Sequence, residues 1–304
     1  MNEQLMIESL ATSAGRVPTA VDIVGLQQFS TEEMQARTRR LLSQVAERSD
    51  CSLDRGDWQA DDEHTLIRLP EGARAVLYHA SGSMIYTSGL APFAAHFERM
   101  EDKEHLIRQV NQSAKEVVAR QWVGNHGELV FERLWQMKAQ GADLQGNSCE
   151  PLLTRVVGAY RQVVDGLPVL GAASVALRLA GNGALDMLSV QARPSAAEVL
   201  EKAAIIAPEL AARQLSFQLV SLLGPVRDLP EDVIESQSMQ FGYLNLGKRK
   251  AQRLLAPAYV AQVVLRHKME RQAYILAVAA TEKTYLPICH CGDQALPTAS
   301  RKLR

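Results

Sequence analysis

The chain has 304 residues, of which 47% are hydrophobic and 22% are charged, and its formal net charge is −1. This length and composition are typical of one large or two smaller globular domains and exclude a disordered chain. The balanced charge gives no reason to expect a nucleic acid or an anionic membrane as a partner. No apolar run approaches the ~18 residues that span a bilayer.

Residues 1–26 lack a basic segment followed by a continuous apolar run, so no secretory signal is predicted. The sequence as written is expected to be soluble and cytoplasmic, or exported if a leader has been trimmed. Residues 1–29 show no sustained hydrophobic period and are predicted to form a loosely packed arm.

A first helix is predicted from Ser30 to Arg48. Ser30 and Glu33 have the spacing of a capping box, in which each side chain bonds the other residue's backbone N–H. Helical spacing relates the residues that are expected to be buried: Met34, Thr38, Leu41, Leu42 and Val45. Short strands follow at Ser52–Trp58, Thr65–Leu69, Ala73–His79 and Met84–Thr87.

A second helix is predicted from Asp102 to about Trp122, and a strand follows over residues 128–138. In that strand Arg133 alternates with Phe131, Trp135 and Met137 on one apolar face. A guanidinium on such a face needs a partner or lines a cavity. We therefore consider Arg133 a candidate for binding a carboxylate-bearing ligand or peptide. The alternative is a salt bridge at the strand end or a side chain that reaches the rim.

The central stretch, residues 155–193, is predicted to form three antiparallel strands joined by two tight turns. Asp165-Gly166 provides the first turn and Gly181-Asn182-Gly183 the second. Pro168 indicates a strand start or an edge, and Gly171 indicates a bulge or a close approach of two backbones.

The residues from Tyr160 to Gly171 read Tyr-Arg-Gln-Val-Val-Asp-Gly-Leu-Pro-Val-Leu-Gly. This sequence resembles the hairpin of fungalysin/thermolysin-type propeptide (FTP) and PepSY domains. The resemblance covers about residues 102–193. A weaker resemblance continues to residue 281 and includes Leu255–Val260. It implies a helix-backed antiparallel sheet and a module that inhibits or chaperones a peptidase, or that holds another protein.

Beyond this stretch, Ser195 and Glu198 predict a third capped helix that ends at Pro208. Alternation at Leu215, Phe217 and Leu219 predicts a strand. Residues 224–250 are predicted to be rich in loops, and residues 259–266 and 272–280 to form a final hairpin.

Each predicted unit begins with a capped helix and continues as antiparallel strands. The sequence therefore predicts an α+β fold with antiparallel meanders, each backed by a helix, as PepSY- or cystatin-like units. The predicted division is an arm (1–29), a helix-plus-sheet unit (30–100), an FTP/PepSY-like unit (101–194), a second PepSY-like unit (195–288) and a tail (289–304).

Familiar catalytic motifs are absent: the sequence has no H-E-x-x-H, no G-x-S-x-G, no Walker-type loop and no G-x-G-x-x-G after a strand. Cys289-His290-Cys291 is the only cysteine cluster and lacks a second pair of ligands, so neither a metal nor a cofactor is predicted. Basic residues cluster at Lys248-Arg249-Lys250, which is predicted to be a solvated turn.

Three functional hypotheses follow. The first is a non-catalytic binding module that holds a peptide or protein partner, a peptidase among the candidates, on a sheet with exposed edges. The second is a cytoplasmic cyclase, isomerase or lyase that acts on a small molecule in a sheet-lined pocket, with Arg133 and a nearby Glu or His as the reacting groups. The third is a homo-oligomeric structural protein.

Four residues are the predicted ligand-binding candidates: Arg133, Tyr160, His79 and Tyr86. His79 and Tyr78 end a predicted strand near Tyr86, which suggests a small polar cluster. Tyr160 also has a structural interpretation, with its ring on the sheet and its hydroxyl at the edge. No residue is assigned a catalytic role.

Overall fold

The computed structural model describes residues 3–49, 56–91, 93–98, 102–117, 122–124, 127–142, 144–223, 234–267 and 270–288. The described residues form an α+β fold of four α-helices and mostly antiparallel strands, as predicted. The helices are α1 (Glu3–Ser13), α2 (Thr31–Ser49), α3 (Lys103–Val117) and α4 (Pro208–Leu223). None of the described helices is long and apolar enough to cross a membrane.

Fifteen strands lie in the described part of the chain. The first ten are β1 (Ala20–Leu26), β2 (Asp57–Ala60), β3 (His64–Arg68), β4 (Arg74–Tyr78), β5 (Ser83–Thr87), β6 (Gly127–Ala139), β7 (Leu152–Val164), β8 (Leu167–Leu170), β9 (Val175–Leu179) and β10 (Leu185–Val190). The last five are β11 (Ser195–Ala204), β12 (Ile234–Leu244), β13 (Leu254–Leu255), β14 (Pro257–His267) and β15 (Glu270–Ala279).

The chain forms two compact units. The large unit comprises residues 24–198 and 245–255, and the small unit comprises residues 1–23, 199–244 and 256–304. The segments 30–100 and 101–194, which were predicted as separate domains, therefore lie within the large unit.

The large unit is built on one antiparallel sheet, in which β7 is followed in order by β9, β10, β5, β4, β3 and β2. Strand β6 pairs with β7 on the opposite edge: Val157 of β7 lies between Trp135 of β6 and Arg178 of β9. The hairpin strand β8 pairs with β7 on the same side as β9, because Val163 lies between Glu128 and Pro168.

Helices α2 and α3 contribute buried side chains to the core on one face of this sheet, which we call the inner face. The predicted capping box of α2 is present: Ser30 N–H donates to Glu33 Oε2 at 2.7 Å, and Glu33 N–H donates to Ser30 Oγ at 3.2 Å. The predicted stripe of α2 is buried, and α3 approaches β7 so closely that a Cβ at Gly158 would lie 3.0 Å from Val110. The opposite face is called the outer face.

The central antiparallel stretch is confirmed, with one difference. Asp165 and Gly166 form the first turn at positive φ, 48° and 78°. The strand that was predicted to run on from Pro168 is divided into β8 and β9 at Gly171, whose φ is 121°. A Cβ at Gly171 would lie 3.0 Å from the carbonyl oxygen of Asn245, so a close backbone approach explains the glycine.

The small unit contains α1, α4 and the antiparallel strands β12, β14 and β15, with β14 in the middle. The final hairpin is therefore confirmed as β14 and β15. Tyrosine hydroxyls bond backbone carbonyls within this unit: Tyr243 donates to Asp22 and Tyr259 to Ile206, both at 2.8 Å. Ser13 Oγ, at the end of α1, accepts the N–H of Met239 on β12 at 2.7 Å.

The predicted helix from Ser195 to Pro208 is wrong, because this segment is strand β11 and the helix α4 begins at Pro208. Ser195 is fully buried, and its N–H donates to the carbonyl of Val123 rather than starting a helix. Long-range pairing has overridden the local helix propensity of an alanine-rich segment. Proline fits the first position of α4, where no N–H is needed. The predicted strand at Leu215–Leu219 lies inside α4.

Two further predictions are corrected. The predicted arm contains α1 and β1, and its residues Met6, Ile7 and Leu10 are buried. The region predicted as loops contains the strand β12. Other predictions lie outside the described residues: the strand start at 52–55, the turn residues 125 and 126, and the Cys289-His290-Cys291 cluster with the tail.

Candidate functional site

Strand β6 is a long edge strand of the large unit. It has 13 residues, and β7 is the one strand in the described part of the chain that pairs with it. The other edge of β6 therefore carries main-chain N–H and C=O groups that no described strand pairs with. Such an edge is a template on which another extended segment can pair.

The predicted alternation placed Arg133 and Phe131 on the same face of the sheet. In the structure they lie on opposite faces. A β-bulge between Phe131 and Arg133 shifts the register against β7. Phe131 and Leu134 consequently pack against the core on the inner face, whereas Arg133 is exposed. A bulge adds one residue to one strand, so the side chains after it change faces.

Three large apolar side chains are exposed on β6. Val130 and Trp135 each retain 45% of their surface exposed, and Met137 retains 42%. The guanidinium carbon of Arg133 lies 5.6 Å from the centre of the Trp135 ring. We call Val130, Arg133, Trp135 and Met137 the β6 patch.

Two charged residues of β6 lie at this patch, Glu132 and Arg133, and they differ in whether they form an ion pair with a described residue. Glu132 binds the guanidinium of Arg161 through both oxygens, at 2.7 and 2.8 Å. Arg133 forms no ion pair with a described residue. The patch therefore combines apolar surface with one cation that a carboxylate could approach.

A second bulge limits the length of regular ladder on β6. The register is uninterrupted from Arg133 to Met137 and shifts again between Met137 and Lys138. Bulges and charged residues are devices that restrict uncontrolled pairing at sheet edges. A partner segment could follow a regular ladder over these five residues, directly beside Trp135 and Met137.

Tyr160 and Tyr86, two of the predicted ligand-binding residues, have structural surroundings. Tyr160 is 5% exposed, its ring packs edge-on against Phe131, and its hydroxyl donates to Asn111 Oδ1 at 2.8 Å. Burial raises the pKa of the Tyr160 hydroxyl well above its usual range. Tyr86 is fully buried in the core of the inner face. Neither side chain belongs to the β6 patch.

His79, the fourth candidate, directly follows strand β4. Its Nε2 lies 2.8 Å from Thr65 Oγ1, and it lines a small polar pocket that also includes Arg193. Tyr78 pairs with Ser83 across the hairpin, so it lies on the face opposite to Tyr86. The predicted cluster of Tyr78, His79 and Tyr86 is thus divided between the two faces of the sheet. Arg193 was missed because no sequence pattern marks a buried arginine in the segment between β10 and β11.

Comparisons with known proteins describe the fold only. No family model matches the chain, and no curated protein matches it. A crystal structure of an uncharacterized protein from Eubacterium rectale ATCC 33656 superposes with a TM-score of 0.54 at 11% sequence identity. The superposition covers 88% of this chain and 86% of that protein, which indicates a similar overall fold.

Proposed function

We propose that the large unit is a binding module that holds an extended segment of a peptide or protein along the edge of β6. The observation that carries this proposal is a 13-residue edge strand whose exposed side chains include Trp135, Met137 and Arg133, an arginine without an ion-pair partner among the described residues. Tryptophan and arginine are the residues that most often dominate binding energy at interfaces.

The geometry favours a particular kind of segment. Main-chain hydrogen bonds to residues 133–137 would supply affinity, and alternate side chains of the ligand would supply specificity. On the outer face, those side chains would be apolar where they contact Trp135 and Met137, and one would carry a carboxylate near Arg133. The resemblance to propeptide domains adds a peptidase to the candidate partners.

The enzyme hypothesis has less support. It required Arg133 and a nearby Glu or His in a sheet-lined pocket, but Arg133 is exposed on an edge strand. Its neighbour Glu132 is already bonded to Arg161 through both carboxylate oxygens. Both oxygens of that carboxylate are therefore already engaged by a guanidinium.

The test begins with a library of random 12-residue peptides displayed on phage and selected on the purified chain. We expect the enriched peptides to lack proline, to alternate apolar and polar residues, and to contain an acidic residue. Affinity is then measured by fluorescence anisotropy with a labelled synthetic peptide. Trp135→Ser should weaken binding at least ~30-fold, since an aromatic hot spot contributes about 2 kcal/mol or more. Arg133→Gln should weaken binding about 5- to 10-fold.

Matched control variants are available elsewhere on the chain. Ile275→Ser removes an apolar side chain that is 75% exposed on β15, and Arg74→Gln removes an exposed arginine on β4. Both controls should bind the peptide as the wild type does. The proposal fails if no peptide is enriched, or if the enriched peptides bind the Trp135→Ser and Arg133→Gln variants with unchanged affinity.

A further inference from the structure

A small pocket of about 60 Å³ lies within the large unit. The segments that follow β4 and β10 contribute to its lining. It is formed by three stretches that are distant in sequence, namely residues 26–29, the turn after β4 at 79–81, and residues 193–194, with Met34 and Gln252 beside them. The polar residues of its lining are Gln27, Gln28, His79, Ser81, Arg193 and Gln252.

Arg193 is the unusual member of this lining, because it is a buried cation that is bonded only to neutral groups. Arg193 is only 4% exposed. Nε donates to Asn245 Oδ1 at 3.1 Å, and Nη2 donates to the carbonyls of Gly247 and Lys250, both at 2.8 Å. No carboxylate among the described residues forms an ion pair with it. The Nη1 group has no hydrogen-bond partner in the described part of the chain.

Burial lowers the pKa of Arg193 to about 10, so the guanidinium keeps its charge at neutral pH. A buried charge is normally compensated by an opposite charge, because removing it from water is costly. Carbonyl and amide oxygens satisfy three of its hydrogen bonds but carry no net charge. The site therefore has the donors and the charge for an anion, and the described protein supplies none.

The turn beside Arg193 is basic in sequence, and its main-chain carbonyls hold Arg193 and the pocket lining. The Lys248-Arg249-Lys250 cluster, which was predicted to be a solvated turn, provides one of the carbonyls that hold Arg193. Ser81 Oγ, in the pocket lining, donates to the carbonyl of Lys248 at 2.7 Å. The acid that interacts electrostatically with His79 is Asp61, which is exposed and lies 3.0 Å from His64. Solvent screens the charge of an exposed acid such as Asp61.

From these observations we propose that the pocket binds a small oxyanion, the carboxylate or phosphate group of a small molecule, through Nη1 of Arg193. The bound anion would neutralise the buried guanidinium and would occupy the space between the turn at 79–81 and residues 26–29. This proposal is independent of the β6 patch, since none of the patch residues lines the pocket.

The test measures the melting temperature of the full chain at pH 7.5 in sodium phosphate, in sodium acetate and in sodium chloride, all at matched ionic strength. A bound anion stabilises the folded state by mass action, and we expect phosphate or acetate to raise the melting temperature by about 2–4 °C over chloride. The two salts distinguish the sources, because a phosphate site responds to phosphate and a carboxylate site responds to acetate.

Two variants locate the effect. Arg193→Gln should abolish the rise, but this residue also holds the turn at 247–250 and its loss can unfold the chain. Ala80→Trp provides a second test, because Ala80 is an exposed lining residue and a large ring there obstructs the pocket without removing Arg193. The control is Ala142→Trp in the exposed loop after β6, which should keep the full rise.

The proposal is overturned if neither anion raises the melting temperature of the wild type beyond chloride. It is also overturned if Ala80→Trp shows the same rise as the wild type. Should Arg193→Gln fail to fold, the comparison of Ala80→Trp with Ala142→Trp decides the question alone.

Discussion

Asp186→Asn is expected to lower the free energy of unfolding by about 3–5 kcal/mol, the usual cost of removing one partner of a buried ion pair. Asp186 lies in the large unit and is 4% exposed. Its Oδ2 lies 2.8 Å from Arg155 Nε and 2.7 Å from Arg178 Nε, and Ser88 donates to its Oδ1 at 2.7 Å. The carboxylate therefore compensates two guanidinium groups at once.

The expected loss of stability is large because the Arg155 guanidinium cannot turn into solvent when its carboxylate partner is removed. Arg155 is 3% exposed, and its Nη groups donate to the carbonyls of Ala91, Ala94 and Thr154. With asparagine at position 186 these bonds hold a buried cation beside a neutral amide. Arg178 is only partly buried and can turn toward solvent, so Arg155 accounts for most of the expected cost.

Chemical denaturation in urea at pH 7 measures this prediction, with Asp57→Asn as the control, since Asp57 forms an exposed pair with Arg68 at 3.5 Å. The control should change stability by less than about 1 kcal/mol. A loss below about 1 kcal/mol for Asp186→Asn would show that the cluster does not compensate the charge of Arg155 as described.

The same variant has a predicted pH dependence. Burial by itself would raise the pKa of Asp186, but the hydrogen bonds from Ser88 and Arg155 and the charges of Arg178 and Arg155 lower it overall. The unfolded chain therefore takes up this proton first, at a pKa of about 3.9. The contribution of the Asp186 carboxylate to the free energy of unfolding is complete above that value, and it is lost as the pH falls toward the pKa of Asp186 in the folded chain. The stability difference between wild type and Asp186→Asn should narrow below about pH 4.

Gln162→Leu is expected to lower the free energy of unfolding by about 2–4 kcal/mol, because it leaves buried backbone groups unpaired. Gln162 is fully buried in the central stretch of the large unit. Its Oε1 accepts the N–H of Arg193 at 2.9 Å, and its Nε2 donates to the carbonyls of Arg193 at 2.8 Å and Val123 at 3.2 Å. One side chain therefore ties β7 to two other segments.

Leucine is similar in size to glutamine, so the expected loss comes from the hydrogen bonds rather than from a cavity. Gln136→Leu is the matched control, because Gln136 is exposed on β6, and it should change stability by less than about 0.5 kcal/mol. Both variants are compared with the wild type by urea denaturation. Equal stability of Gln162→Leu and Gln136→Leu would contradict the described network.

The parts of the fold that were predicted correctly depend on short-range signals. The turn at Asp165 and Gly166 requires positive φ, which these residue types accept, and it therefore identified the hairpin of β7 and β8. The capping box of α2 is likewise contained within four residues. The segment of β11 has local helix propensity, but its structure is set by distant partners such as Val123. Propensity alone could not identify that strand.

The candidate sites were less predictable than the fold, because both depend on tertiary geometry. The sequence identified Arg133 as unusual, but the face on which it lies is decided by a bulge against β7. The pocket around Arg193 is assembled from residues 26–29, 79–81, 193–194 and 252, so no local motif marks it. His79 was selected for a cluster with Tyr78 and Tyr86, yet the sheet register places Tyr78 and Tyr86 on opposite faces.

Amide hydrogen exchange of β6 tests most directly whether its outer edge is open and serves as the binding surface. In the chain alone, amides from Arg133 to Met137 that point away from β7 should exchange rapidly, whereas those bonded to β7 should be protected. A peptide selected on the chain should then slow the outward-pointing amides. The account is contradicted if these amides are already as protected as those of β7 in the free chain, or if a bound peptide leaves their exchange unchanged.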